Sequence, residues 1–129
     1  KVKKDFEFEN YLVNIKNPVL RKQMSSFRLS THCLAIETGR YTNIPRENRY
    51  CLLCTNKQME TEYHFLLTSP KYNNLRTQFH ISSSWPSLHK FIRIISSKSK
   101  SVQINTAKYL KMAFELRKLC FEQNTIHEQ

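Results

Sequence analysis

The sequence predicts a mainly α protein, a small helical domain of five to six helices with a knuckle-like loop carrying Cys-x2-Cys…His. Three observations support this. The chain holds a single glycine, Gly39, too few for the tight turns of an all-β protein or for a glycine-rich phosphate loop. Apolar residues recur at i, i+3, i+4 and i+7, the spacing of one helical face. From Ala107 to Glu122 the sequence is apolar around most of a helical circumference, with one narrow polar stripe. A length of 129 residues suits one modest core, so residues 1–129 are read as a single helical domain with the knuckle at about 49–72. Hydrophobic residues at 40% and aromatics at 12% exceed what disordered chains carry.

Taken in order, Phe8, Tyr11, Leu12 and Ile15 share one face of a first short helix with Asp5 as its N-cap. Asn17-Pro18 resets the chain and opens a second helix over "PVLRKQMSSFRLS", where Leu20, Met24 and Phe27 face inward. Arg28 in that helix is read as structural, paired with Glu37. From Cys33 to Arg49, Gly39 and Pro45 stand among polar residues, which reads as a loop with a short extended piece. Thr61 to Thr68 predicts a short helix that turns His64 toward the preceding cysteines. Ser69-Pro70 ends it and starts another, with Ser69 as N-cap and Tyr72, Leu75 and Phe79 as the buried stripe. Trp85-Pro86 begins the next, carrying Leu88, Phe91, Ile92 and Ile95. "SSKSKS", residues 96–101, reads as a basic serine-rich linker. In the last helix Lys108, Lys111, Glu115, Lys118 and Glu122 form the polar stripe, and the apolar remainder is central to the core.

Lysine and arginine number 21 against 10 acids, a formal charge of +11. Such a surplus on a small domain attracts polyanions, and nucleic acid is the expected partner. No apolar run approaches the ~20 residues of a membrane span, and no hydrophobic leader is visible, so no membrane partner is expected. Four cysteines without a disulfide scaffold's density suit a reducing compartment, and the expected location is intracellular, nuclear or cytoplasmic. "KVKKDFEFENYL" opens without methionine and reads as the interior of a longer polypeptide, whose remainder would be a further partner.

Cys51, Cys54 and His64 stand in the order of a small metal-binding knuckle. Structural zinc takes four ligands, and the position four residues beyond His64 is Ser69, whose hydroxyl is a poor replacement for a thiolate. The fourth ligand is therefore open among Ser69, His32 and water, with Glu60, Glu62, Cys33 and His80 as further candidates. Two readings of the cysteine pair stand: a zinc site, or buried thiols in a core that folds without metal. An open corner holding water is also how catalytic zinc is arranged, but no H-E-x-x-H helix or similar motif sets a base beside the metal. No catalytic residue is assigned, and the domain is not expected to be an enzyme by itself.

"FRLSTHCLAIETGRYTNIPRENRYCLLC" followed by "ETEYHFLLTSPKYNNLR" resembles the region behind the polymerase in animal non-LTR retrotransposon reverse transcriptases and their relatives. The resemblance runs from about Tyr11 to Arg76 and returns more weakly in "LHKFI" and "KYLKMAFELR". Phe27, Arg28, His32, Leu34, Glu37, Gly39-Arg40, Pro45-Arg46, Arg49, Cys51, Cys54, Glu60, Glu62, His64-Phe65-Leu66 and Pro70-x-Tyr72 fall where that pattern has them. It implies a zinc-binding C-terminal domain that holds RNA or target DNA, with polymerase chemistry elsewhere in the polypeptide. Ser69 departs from the pattern, which places a closing cysteine there.

Arg40, Arg46, Arg49, Lys57, Lys71 and Arg76, with Tyr41, Tyr50 and Tyr72 nearby, mix cations and rings in a way suited to phosphate neutralisation and base stacking. These residues are the expected nucleic-acid contacts. The alternative function is a protein-interaction or scaffolding module with a vestigial zinc site, marked by an exposed apolar patch on the last helix.

Overall fold

The computed structural model describes residues 11–54, 57–81 and 85–128, with side chains as far as Gln123. The fold is mainly helical, with no strand among the described residues. Its α-helices are α1 (Tyr11–Asn14), α2 (Pro18–Arg28), α3 (Ala35–Tyr41), α4 (Asn73–Gln78), α5 (Leu88–Ile95) and α6 (Lys100–Glu128). Asp5 and Phe8, expected in the first helix, lie outside the described residues; Tyr11 and Ile15 are buried as their spacing predicts.

α2 starts where Asn17 and Pro18 direct it. The Asn17 Oδ1 accepts from the backbone N–H groups of Val19 at 2.9 Å and Leu20 at 3.3 Å, satisfying two donors that the first turn leaves open. Met24 and Phe27 are buried on its inner face. Ser30, at φ 59, turns the chain out of the helix. Arg28 does not pair with Glu37. Its Nη1 donates to the Ile95 carbonyl at the end of α5, and its guanidinium lies 5.3 Å from the centre of the Tyr11 ring.

The stretch from Cys33 to Arg49 is not a plain loop, because α3 occupies its middle. The cause is distant in sequence. The N-cap position, Leu34, offers no side-chain acceptor, and Glu60 supplies two instead: its Oε1 accepts from Ala35 N–H at 2.7 Å and its carbonyl from Ile36 N–H at 3.1 Å. Gly39, the glycine inside α3, makes room for Arg49. A Cβ there would lie 2.6 Å from Arg49 Cγ, so the side chain could not pass to reach the Ile36 and Ile44 carbonyls.

After a 3-10 turn at Arg46–Asn48, the chain forms a narrow loop closed by the Tyr50–Met59 bridge, with Cys51 N–H donating to Gln58 O at 2.7 Å. His64–Thr68 is a wide π-turn, closed by Ser69 N–H to His64 O at 2.8 Å, and a 3-10 turn at Pro70–Tyr72 leads into α4. Ser69 is no N-cap through its side chain, contrary to expectation. α5 is capped by Ser87 Oγ accepting from Lys90 N–H at 3.1 Å. Phe91 and Ile95 of its stripe are buried, while Leu88 and Ile92 face outward with the fully solvated Trp85 before them. The last two residues of "SSKSKS" are the first two of α6.

α6 packs against α1, α2, α4 and α5. Ala107, Tyr109, Leu110 and Ala113 form its core face, and the Lys111–Glu115 pair of its polar stripe closes at 2.8 Å. Phe65, wholly buried, is the centre of the aromatic core: ring centroids lie 4.4 Å away at Phe114, 4.8 Å at Tyr72 and 6.4 Å at Phe27. The residue next to the candidate ligand His64 is thus anchored by the main core, which fixes where that ligand can point.

Candidate metal centre

The narrow loop brings up Cys51 and Cys54, and the π-turn brings up His64. Their ligand atoms all lie within 4.8 Å of one another, so this Cys2His group could hold a metal ion. Cys54 Sγ is 3.2 Å from His64 Nε2, close to the roughly 3.5 Å separating sulfur and nitrogen on one tetrahedral zinc. Cys54 Sγ also lies 3.4 Å from the hydroxyl of Ser69, which is fully buried. Ser69 thus stands beside Cys54, at the sequence position where a knuckle would carry its fourth ligand.

The imidazole is oriented by its own turn. His64 Nδ1 and Thr68 Oγ1 are 2.7 Å apart, and Thr68 Oγ1 also reaches the His64 carbonyl at 3.4 Å, to which its hydroxyl donates. With the hydroxyl accepting from Nδ1–H, Nε2 would carry the lone pair that a metal beside the sulfurs needs. Burial holds the His64 pKa below its ordinary value against the opposing charge of Glu60, with a smaller contribution from Arg76, which favours the neutral ring. Burial pushes the Cys51 thiol up to about 12, so a cation entering here must displace a firmly held proton.

Thr68→Val keeps the shape of the side chain and removes the acceptor. It is expected to weaken zinc affinity roughly 10- to 100-fold, with Thr68→Ser restoring most of it. Competition with a chromogenic chelator reads both variants, and unchanged affinity in Thr68→Val would deny Thr68 this positioning role.

Of the other candidates for the fourth ligand, His32, Glu60, Glu62 and Cys33 each meet a partner elsewhere. His32 Nε2 meets Glu62 Oε2 at 2.7 Å, and Ser30 joins them at 3.4 Å. Burial raises the Glu62 carboxyl, but the bond and charge of His32, its own backbone N–H and the Ser30 hydroxyl together outweigh it, and the pKa falls below its ordinary value. Glu60, buried, receives a two-pronged contact from Arg117: Nε to Oε2 at 2.9 Å and Nη2 to Oε1 at 2.8 Å. Cys33 is exposed and 3.4 Å from Arg117 Nη1, and His80 is exposed at the end of α4.

Of the expected nucleic-acid contacts, Arg40, Arg46, Lys57, Lys71, Tyr41 and Tyr50 are exposed, Arg40 while paired with Glu37 at 3.0 Å. Three are not available. Arg49 is spent on the Ile36 and Ile44 carbonyls, and Tyr72 is buried against Phe65. Arg76 is buried as well: its Nε and Nη2 donate to Leu66 O at 2.7 Å and Phe65 O at 3.3 Å, and Nη1 to Asn73 Oδ1 at 2.7 Å. Those carbonyls belong to the π-turn, and the Phe65 carbonyl also accepts from the Tyr109 hydroxyl, so Arg76 serves the buried backbone. Sequence spacing missed both this role and the Glu60–Arg117 pair. A charged residue among the apolar positions of α6 was the available signal for Arg117.

No helix among the described residues is long and apolar enough to cross a membrane. Compared with known protein families, curated proteins and solved structures, the chain has no match in any of the three.

Proposed function

We propose that the chain is a non-catalytic nucleic-acid-binding domain of a reverse-transcriptase-like protein, held in shape by zinc at Cys51, Cys54 and His64. The observation that carries the reading is the convergence of two sulfurs and one imidazole nitrogen within 4.8 Å, where a loop flanked by exposed cations and tyrosines meets the π-turn. Two thiolates with an imidazole favour zinc over hard cations, which prefer oxygen. The metal would tie the narrow loop to the π-turn, and Arg46, Lys57 and Lys71 would neutralise phosphates while Tyr41 and Tyr50 stack on unpaired bases. The resemblance to the post-polymerase region of non-LTR reverse transcriptases supports the same assignment.

Titration of fluorescently labelled single-stranded RNA and DNA at two salt concentrations tests it, with zinc measured by elemental analysis. Affinity is expected to fall steeply with salt, and Arg46→Ala and Lys57→Ala each to lower the slope of log affinity against log salt by about 0.7. Affinity indifferent to salt would rule out phosphate contacts as its main source.

One observation favours the protein-interaction alternative: a groove of about 1030 Å³ between α2 and α6, lined by Val19, Phe114 and Phe121 among others. Self-association in gel filtration without nucleic-acid retention would select that reading.

A further inference from the structure

The excess charge is not spread evenly. Between Tyr63 and Phe114 the sequence has eight lysines and arginines and not one aspartate or glutamate, so this span carries most of the +11. Arg76 is the buried one. Arg93, Lys98, Lys100 and Lys108 are exposed, and among the described residues none has a carboxylate within salt-bridge distance. By contrast, Glu37, Glu60, Glu62 and Glu115 are each held by a partner outside this face or at its far edge. Among the described residues no carboxylate pairs with these four cations.

The same span builds a cleft. The end of α4, one side of α5 and the first turns of α6 enclose about 350 Å³. Lys90 and Arg93 stand on one wall and Ser101 and Asn105 on the other, with Phe79 and Ile94 also lining it. Phe79 is half-buried, so part of its ring remains open to a ligand. Cations at the edge, hydroxyl and amide groups on the wall and an aromatic surface are what an unpaired nucleotide needs: phosphate neutralisation, hydrogen bonds to a base edge and a stacking platform.

We infer that this α4–α5–α6 cleft is a second contact face for single-stranded nucleic acid, separate from the knuckle flank. One base enters against Phe79, Asn105 meets its edge, and Lys90 and Arg93 take the adjoining phosphates. The inference rests on the nucleic-acid reading above and adds to it where the strand runs.

Four proteins are compared by anisotropy with a labelled single-stranded oligonucleotide across a salt series: wild type, K90E/R93E in the cleft, R46E/K57E on the knuckle flank, and K16E/K22E as an equal change of net charge elsewhere. Helical circular dichroism checks that each is folded, and R93Q repeats the cleft test with the mildest change. The cleft pair is expected to lose about tenfold or more in affinity and to lower the salt slope by about 1.4, and the K16E/K22E pair to lose less than about threefold. A cleft pair that binds like wild type, or a K16E/K22E pair that loses as much, overturns the cleft. The first with loss in R46E/K57E leaves the knuckle-flank reading intact. Wild type that fails to bind at low salt sinks both. An abasic sugar-phosphate oligomer is expected to bind more weakly than the intact strand, and equal binding overturns the base in the cleft. Vesicles containing phosphatidylserine give the remaining arm: if wild type binds them, the cleft pair does not, and oligonucleotide binding is unchanged, the face is a lipid surface and the inference fails.

Discussion

Arg117→Met is expected to lower the melting temperature by roughly 10–20 °C, corresponding to a loss of about 3–5 kcal/mol. The methionine fills much of the volume but leaves the Glu60 carboxylate buried with only the Ala35 N–H for company. An uncompensated charge in that position costs far more than the pair contributes when intact. Combining Arg117→Met with Glu60→Gln should therefore recover part of the loss, since the amide oxygen can still accept from Ala35 while the charge is gone. Circular dichroism melts of the single variants and the double variant measure the coupling. Additive losses would show that the two side chains act independently.

Ser69→Cys is expected to tighten zinc binding on the order of a hundredfold, at about 1.4 kcal/mol for each tenfold. The Oγ already lies 3.4 Å from Cys54 Sγ, and the backbone on either side is held by Ser69 N–H to His64 O at 2.8 Å and Tyr72 N–H to Ser69 O at 3.3 Å. A thiolate would enter a corner whose position the fold has set. Zinc-loaded protein should melt higher by the corresponding stabilisation, and cobalt substitution should show an additional thiolate-to-metal band. Ser69→Ala should change zinc affinity little, because a neutral hydroxyl contributes little as a ligand. If metal content and melting temperature stay the same in Ser69→Cys, the corner belongs to no metal site.

Much of the fold was legible because local rules governed it. Asn17-Pro18 states where α2 begins, and the apolar spacing of α2 and the polar stripe of α6 point to their inner faces, whereas the four-point pattern of α5 holds only for Phe91 and Ile95. The grouping of Cys51, Cys54 and His64 was readable from order and spacing. What escaped was set by residues far apart in sequence. α3 is short, contains the chain's glycine and lacks a local cap, so nothing nearby announces a helix; Glu60, twenty-five positions on, supplies the acceptors. Arg76 and Arg49 look like surface cations on composition alone, and only their bonds to the carbonyls of Phe65, Leu66, Ile36 and Ile44 reveal them as internal. His32, a candidate ligand in the sequence, is claimed by Glu62 thirty residues away.

Trp85 is the chain's one tryptophan, and 92% of it is accessible to water. Its indole already has, in the native protein, the surroundings it would have in urea. Emission excited at the red edge of the absorption band, where tyrosine is silent, should consequently stay almost constant while the helices melt. A flat trace from such an experiment would say nothing about cooperativity, and denaturation of this protein has to be followed through the peptide groups or the buried phenols.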